Sequence, residues 1–129
     1  MKTVLSLLLV LLLGLTVSAA PRASASNYRQ ITMQEAVEMM ATEENYIILD
    51  VRTEAEYESG HIPGAICIPN ETIGTADIPG LPDKDQLILV YCRSGNRSKQ
   101  ASGKLAALGY TNIVEFGGIN AWPGEIVAK

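Results

Sequence analysis

The amino-acid sequence predicts an α/β domain, with a parallel sheet covered by helices on both faces. Two runs, 46–51 (YIILDV) and 87–91 (LILVY), are almost entirely apolar and rich in β-branched residues, as expected for strands buried on both faces. Segments with helical spacing alternate with these runs, and the connections are too long for hairpins. A chain of 129 residues is the right size for one such domain.

In the N-terminal half, two capping boxes (a Thr followed three residues later by a Glu) mark helix starts. The first predicts a helix over 33–41, and the second predicts a short helix from Thr53 that stops near Gly60. Strand 46–51 lies between them. We expect the preceding segment, 26–30, to be a polar lead-in.

In the C-terminal half, glycines and prolines separate the predicted elements. The segment 69–85 carries several of each and predicts an irregular connection. The predicted elements are a short strand at 66–68, the strand 87–91, a helix from Asn96 or Ser98 to Leu108 stopped by Gly109, a strand at 113–116 and a helical turn around Trp122.

The first 25 residues have the three parts of a secretory signal peptide. Lys2 precedes an uncharged apolar run at 4–17, and small residues follow, with 23–25 (ASA) fitting the cleavage rule. The alternative is a retained anchor, but as a helix this run is about 21 Å long, short of the roughly 30 Å of bilayer hydrocarbon. We therefore expect a signal peptide at 1–25 and an exported mature domain at 26–129, periplasmic in an organism with an outer membrane and without a membrane span.

The mature chain is acidic. It has 8 Lys and Arg against 14 Asp and Glu, a formal charge of −6 over 104 residues. Such a surface argues against nucleic acid and anionic lipid as partners, and any anion site must be built locally. One His and two separated Cys form no ligand cluster, so we expect neither a metal nor a cofactor. Oligomeric state is not predicted.

The stretch 90–98 (VYCRSGNRS) carries the chemistry. Cys92 ends a buried strand, and ligands bind beyond the carboxyl ends of parallel strands. Gly95 and Asn96 tolerate the left-handed backbone that lets successive amides of a tight loop point inward, and a helix N-terminus follows. With Arg93 and Arg97 nearby, we expect a reactive thiolate and an anion-docking site. The alternative is an inert buried cysteine beside two surface charges.

The spacing also bears on the type of chemistry. Cysteine phosphatases use C-x5-R, but here Ser98 stands six residues after Cys92 and the arginine falls at C-x4-R. We expect a smaller pocket, suited to one sulfur atom and poor for a tetrahedral phosphate.

These motifs resemble those of the rhodanese family. The resemblance runs in order through 49–52 (LDVR), Tyr57 with 60–65 (GHIPGA), 91–98 (YCRSGNRS), and 117–118 (GG) with Trp122. It implies a three-layer rhodanese-like fold with a central parallel sheet of about five strands. It also implies thiosulfate sulfurtransferase activity, with a six-residue active loop over 92–97.

The resemblance also assigns residue roles. Cys92 would be the nucleophile that accepts sulfur, and Arg93 would contact the anionic donor. The backbone amides of the loop residues Ser94, Gly95, Asn96 and Arg97 would hold the persulfide. Asp50 and Arg52 correspond to supporting charges, and His61 belongs to a structural turn.

The implied reaction moves sulfur from a small anionic donor such as thiosulfate to cyanide or a thiol through a Cys92 persulfide. Two other hypotheses stay open: a non-catalytic binding module of the same fold, and a cysteine-based phosphatase or arsenate reductase.

For several other residues we expect purely structural roles. We expect Cys67 to pack as a small hydrophobe, although a disulfide with Cys92 is the alternative in an exported protein. Asp50 is expected to hold loops rather than to react, and Trp122 to plug the core. The acidic cluster at 54, 56 and 58 is expected to be a solvated helix face.

Overall fold

The structure of the protein, a computed structural model, describes residues 27–128. The predicted signal peptide, 1–25, lies outside the described residues. Within them, no helix is both long enough and apolar enough to span a lipid bilayer.

The described chain alternates strands and helices as predicted, and most boundaries agree within one or two residues. In chain order the elements are β1 (Arg29–Gln30), α1 (Met33–Thr42), β2 (Tyr46–Asp50), α2 (Glu54–Ser59), β3 (Ile66–Cys67), a 3-10 turn (Asn70–Thr72), β4 (Leu87–Cys92), α3 (Asn96–Ala107), β5 (Ile113–Gly118) and a second 3-10 turn (Ile119–Ala121).

Both predicted capping boxes are present. The Thr32 hydroxyl accepts the Glu35 N–H, and the Glu35 carboxylate accepts the Thr32 N–H in return. Thr53 and Glu56 repeat the arrangement at the start of α2. Each box satisfies two amides that would otherwise lack partners in the first turn, which explains why these short helices begin where they do.

The five strands form one sheet in the order β1-β5-β4-β2-β3, and every pairing is parallel. The centre is β2 beside β4, where Ile47 pairs with Ile88 and Leu49 with Val90. The α/β class and the central five-strand sheet are therefore as predicted.

Helices cover both faces of the sheet. On one face, Ala101 and Leu105 of α3 join a core that includes Leu49 and Val90. On the other face, Ala36 of α1 packs in a second core with Phe116, and Trp122 packs against that core from the C-terminal segment. These three layers fix the sheet edge at which the strands end.

The polar segment before α1 contains a strand that the sequence did not predict, because Arg29 and Gln30 form β1. They pair with Val114 and Glu115 of β5, and both residues are exposed. No apolar pattern marks this strand in the sequence, since it is fixed by hydrogen bonds to a neighbouring strand and not by burial of its own side chains.

Candidate active site

Cys92 is the last residue of β4, and its side chain is buried, with 1% of the residue exposed. Its Sγ accepts the backbone N–H of Gly95 at 3.0 Å and lies 3.5 Å from the hydroxyl of Ser98. The loop therefore turns back over the sulfur and presents an amide to it, as the sequence predicts.

The loop shifts the ionisation of this thiol. Burial disfavours the charged thiolate and is the largest single influence on the pKa of Cys92. Hydrogen bonds outweigh it: one from the Ser98 side chain, and others from the backbone N–H groups of Ser98, Gly95 and Ser94. The net result is a pKa below the usual thiol value, which favours the nucleophilic form.

Two glycines shape the loop. Gly95 has φ +112°, a left-handed conformation that an L side chain adopts only with strain. Asn96 does not share it, contrary to expectation, because Asn96 is already the first residue of α3. At Gly118, a Cβ atom would overlap the carbonyl of Arg93, so β5 lies directly against the loop. The N–H of Asn120 donates to that same carbonyl at 3.2 Å.

The loop arginines differ in their surroundings. Arg97 donates two hydrogen bonds to the Glu56 carboxylate, at 2.8 and 3.1 Å. Its hydrogen bonds are the main reason why the pKa of Glu56 falls to about 2. The side chain of Arg93 is 65% exposed and lies 3.9 Å from the same carboxylate. Arg93 is thus the guanidinium open to solvent, whereas Arg97 is already paired.

The expectation that Glu56 belongs to a solvated helix face was wrong. Its side chain is 26% exposed and joins the start of α2 to the start of α3. The sequence separates Glu56 and Arg97 by 41 positions, so only the packing of both helices at the same sheet edge brings them together.

Asp50 and Arg52 form a buried ion pair, with Nη2 of Arg52 2.6 Å from Oδ2 of Asp50. Asp50 also accepts the Tyr91 hydroxyl at 2.6 Å, and Arg52 donates to the Gly60 carbonyl at 2.7 Å. In the described residues, no hydrogen bond or ion pair joins either residue to 92–97. They fix β2, β4 and the end of α2, a positioning role beside the loop.

Beneath the loop lie two buried polar residues to which the sequence assigned no function. Ser98 is fully buried, and its hydroxyl lies 2.5 Å from Oε2 of Glu115. Glu115 is 3% exposed and also accepts the Gly117 N–H at 3.0 Å. A carboxylate inside an otherwise apolar strand, IVEFGG, is the signal that could have revealed this pair.

Cys67 and Cys92 are both free thiols. Cys67 pairs with Asp50 of β2, and Asp50 pairs on its other side with Tyr91, next to Cys92. Two strand spacings, roughly 10 Å, therefore separate the two cysteines, beyond the reach of about 7 Å for a disulfide. Burial, reinforced by the carboxylates of Asp50 and Glu54, raises the pKa of Cys67 to about 11.

His61 and Trp122 have structural roles, as expected. The His61 ring stacks on Tyr57 with centroids 3.7 Å apart, and Nδ1 lies 2.8 Å from the Tyr57 carbonyl. The indole N–H of Trp122 donates to the Glu125 carbonyl at 2.9 Å. Over residues 27–128, no group of three His, Cys, Asp or Glu side chains is arranged to hold a metal ion.

A comparison with protein-family models matches residues 32–125 to the rhodanese-like domain. This chain belongs to the rhodanese family. The match covers every strand and helix of the domain except β1, including the Cys92 loop.

Named relatives and a solved structure agree with this assignment. The thiosulfate sulfurtransferase PspE of Escherichia coli is 37% identical over 71 residues, which are 55% of this chain and 68% of that protein. The thiosulfate sulfurtransferase GlpE of Pseudomonas entomophila is 32% identical over 105 residues, 78% of this chain and 93% of that protein. A rhodanese-like domain protein from Staphylococcus aureus superimposes with a TM-score of 0.65 at 31% identity, covering 78% of this chain and 98% of that one. The rhodanese family to which this chain belongs therefore includes named sulfurtransferases.

Proposed function

We propose that this rhodanese is a thiosulfate sulfurtransferase that carries sulfur as a Cys92 persulfide. The observation that carries the proposal is the Cys92 sulfur at the end of β4, with a lowered pKa and the Gly95 N–H 3.0 Å away. The names of the PspE and GlpE relatives support thiosulfate as the donor.

The first half-reaction is a displacement at sulfur. The Cys92 thiolate attacks the outer sulfur of thiosulfate and forms a new S–S bond. The bond between the two thiosulfate sulfur atoms breaks, and its electron pair leaves with sulfite. The outer sulfur of the resulting persulfide carries the negative charge, and the inward-facing amides of the loop stabilise it.

The second half-reaction returns the enzyme to its starting state. An acceptor nucleophile, cyanide in an assay or a thiol in the cell, attacks the outer sulfur. The electron pair of the Cys92–sulfur bond returns to Cys92 as thiolate. Because each half-reaction releases its product before the next substrate reacts, we expect ping-pong kinetics.

Charge at the loop supports an anionic donor. The mature chain carries a formal charge of −6, which repels thiosulfate at long range. Arg93 projects from the loop into solvent, whereas Glu56 neutralises Arg97. We infer that Arg93 makes the first contact with the donor and that Arg97 mainly holds the loop in shape.

The mass of the intact protein after thiosulfate treatment tests the proposal. We expect a gain of about 32 Da, one sulfur atom, located on the peptide that contains Cys92 and removed by cyanide. The Cys92→Ser protein should show no gain. A folded wild-type protein that gains no mass would favour the non-catalytic binding module. Turnover of an aryl phosphate without turnover of thiosulfate would favour the phosphatase.

We also propose that the protein is exported, on the basis of the leader sequence at 1–25. Expression of the full chain in a bacterium with an outer membrane, followed by fractionation, tests this. The expected result is a periplasmic protein that begins at residue 26. Full-length protein in the membrane fraction would instead support the retained anchor.

A further inference from the structure

A cleft of about 410 Å³ opens beside the Cys92 loop, on the side of the sheet where β5 and β1 lie. The residues that line it include Ser94 of the loop, Lys99 of α3, Gly117 of β5 and the segment 30–33. The backbone N–H of Ser94 also donates to the Cys92 sulfur. The cleft therefore reaches the groups that hold the nucleophile.

The size and lining of this cleft suit an organic molecule. Sites for organic ligands typically have volumes of about 300–1,000 Å³. Cyanide and thiosulfate have only a few atoms each and would leave most of the cleft empty. Its lining combines the apolar side chains of Ile31 and Met33 with the polar residues Thr32 and Ser94. Such a surface can pack a short hydrocarbon chain and solvate a polar end.

Lys99 brings a positive charge to the cleft. Its side chain is exposed, and among the contacts within residues 27–128 its ammonium group makes no ion pair or hydrogen bond. Nζ of Lys99 lies 3.7 Å from the position that a Cβ atom of Gly95 would occupy. The Gly95 nitrogen is 3.0 Å from the Cys92 sulfur. Standard bond lengths then place Nζ at most about 10 Å from that sulfur.

The charged groups around the loop lie on two sides of it. Arg93 lies 3.9 Å from Glu56, at the start of α2. Lys99 is on the β5 side, and it is the only cation among the residues that line the cleft. Glu115 is the only acid among them, and it is 3% exposed, so it offers a ligand little charged surface. An anionic group in the cleft would therefore pair with Lys99 rather than with Arg93.

We propose that the cleft binds the acceptor of the second half-reaction, a low-molecular-weight thiol that carries a carboxylate, and that Lys99 pairs with this carboxylate. The proposal rests on the proposed function, because it names a substrate class for the same site. A carboxylate two or three carbons from the thiol is long enough to bridge Lys99 and the sulfur carried on Cys92. The small anionic donor needs only Arg93 and the loop.

Lys99 would contact the substrate but none of the reacting atoms, which makes it a specificity-determining residue. The acceptor reacts as its thiolate, after its proton has passed to solvent. Its sulfur forms a bond to the outer sulfur of the Cys92 persulfide. The bond between that sulfur and Cys92 breaks, and the electron pair stays on Cys92 as thiolate. The acceptor leaves as a persulfide that still carries its carboxylate.

Thiol–disulfide exchange tests the cleft without any sulfur donor. In a Cys67→Ser background, Cys92 reacts with one of two symmetrical disulfides. 3,3′-Dithiodipropionate carries a carboxylate on each half, and bis(2-hydroxyethyl) disulfide is uncharged. The Cys92 thiolate attacks one sulfur, forms a mixed disulfide and releases the other half as a thiolate. The departing half occupies the place that the acceptor thiol takes in sulfur transfer, next to the sulfur bonded to Cys92.

The measured quantity is the rate for the charged disulfide divided by the rate for the neutral one, so that effects on the Cys92 thiolate itself cancel. We expect Lys99→Met to lower this ratio about three- to fivefold, the range for one partly exposed ion pair. Lys99→Arg keeps the charge and should preserve the ratio. Arg29→Gln is the matched control, because Arg29 is exposed on β1 and does not line the cleft. It removes the same charge and should leave the ratio unchanged.

Three results would overturn the acceptor site: an unchanged ratio in Lys99→Met, an equal fall in Arg29→Gln, or a fall confined to Arg93→Ala. Discharge of the thiosulfate-treated protein by 3-mercaptopropionate and by 2-mercaptoethanol gives the same ratio for sulfur transfer. Charge-selective exchange in a protein that gains no sulfur from thiosulfate would refute the proposed function and keep Lys99 as a carboxylate contact. A persulfide whose discharge does not depend on Lys99 would refute the acceptor site and leave the proposed function intact.

Discussion

Cys92 and Cys67 are both cysteines at the ends of strands, yet the pKa values of their thiols are shifted in opposite directions. Each ends a parallel strand of one sheet, Cys92 on β4 and Cys67 on β3. The pKa of Cys92 is lowered, although burial opposes this, while burial and neighbouring carboxylates raise the pKa of Cys67 to about 11. Being at a strand end therefore does not make a cysteine reactive.

The residues that follow each cysteine account for the difference. After Cys92, the chain curls so that the N–H of Gly95 points at the sulfur. After Cys67, the N–H of Ile68 continues the sheet by donating to the Asp50 carbonyl, and Pro69 has no N–H to offer. Among residues 27–128, the Cys67 sulfur has only the Arg52 carbonyl as a hydrogen-bond partner, at 3.6 Å, and a carbonyl oxygen cannot stabilise a thiolate.

Removing each sulfur in turn gives the largest expected contrast. Cys92→Ser should lower sulfur transfer from thiosulfate to cyanide by about 10³-fold or more, because the nucleophile is lost. Cys67→Ser is the matched control and should leave kcat within about twofold. Steady-state assays of both variants measure the contrast. Substantial activity in Cys92→Ser, or its loss in a folded Cys67→Ser, would contradict the assignment.

The loop that makes Cys92 differ from Cys67 depends on the close approach of β5. In Gly118→Ala the new Cβ would overlap the Arg93 carbonyl, so the loop must move away from its position over the sulfur. We expect at least a tenfold loss of kcat/KM and about 1–3 kcal/mol less unfolding free energy.

Gly103→Ala is the control for that change, because a Cβ at position 103 meets nothing within 4 Å. Within α3 it should keep full activity and add about 0.5–1 kcal/mol of stability. Denaturant unfolding and steady-state kinetics of both variants measure these differences. Equal activity in the two would show that the loop does not need the close contact between Gly118 and the Arg93 carbonyl.

Much of the fold was predictable because the sequence signals are local. Apolar runs located β2 and β4, and two capping boxes placed the starts of α1 and α2. The edge strand β1 was not predictable, since its pairing with β5 depends on the fold and leaves no apolar pattern.

At the site, too, the local features were predictable and the contacts between distant residues were not. The Cys92 loop is contiguous, so its curl could be inferred from small and polar residues. The pairs Glu56 with Arg97 and Ser98 with Glu115 join residues 41 and 17 positions apart, and only packing brings them together.

Arg93→Ala tests the exposed cation of the Cys92 loop. The Arg93 side chain is 65% exposed, so its removal should change the unfolding free energy by no more than about 0.5 kcal/mol. The KM for thiosulfate should rise about tenfold, since one charge-assisted contact with the donor is lost. Steady-state kinetics at two salt concentrations measure this, and an unchanged KM would place the anion contact on Arg97.

Removing the charge of Glu56 has an expected effect on stability that depends on pH. Its pKa in the folded protein is about 2, below the usual value, so its pairing with Arg97 stabilises the fold above the usual carboxyl range. Glu56→Gln should cost about 1–2 kcal/mol at neutral pH, because the pair is partly exposed. The difference from wild type should shrink as pH falls from about 4.5 towards 2. Unfolding curves across this range measure it, and a pH-independent difference would show that the charge is not responsible.

The most direct test compares both thiols in one molecule. Wild-type protein is alkylated with iodoacetamide at a series of pH values, and peptide mapping by mass spectrometry gives a rate for each cysteine. We predict that Cys92 titrates below the usual thiol range, whereas Cys67 stays unreactive until the pH approaches about 11. Equal titration of the two cysteines, or a Cys92 that reacts only at high pH, would contradict the claim that hydrogen bonds from Ser98 and the loop amides create the nucleophile.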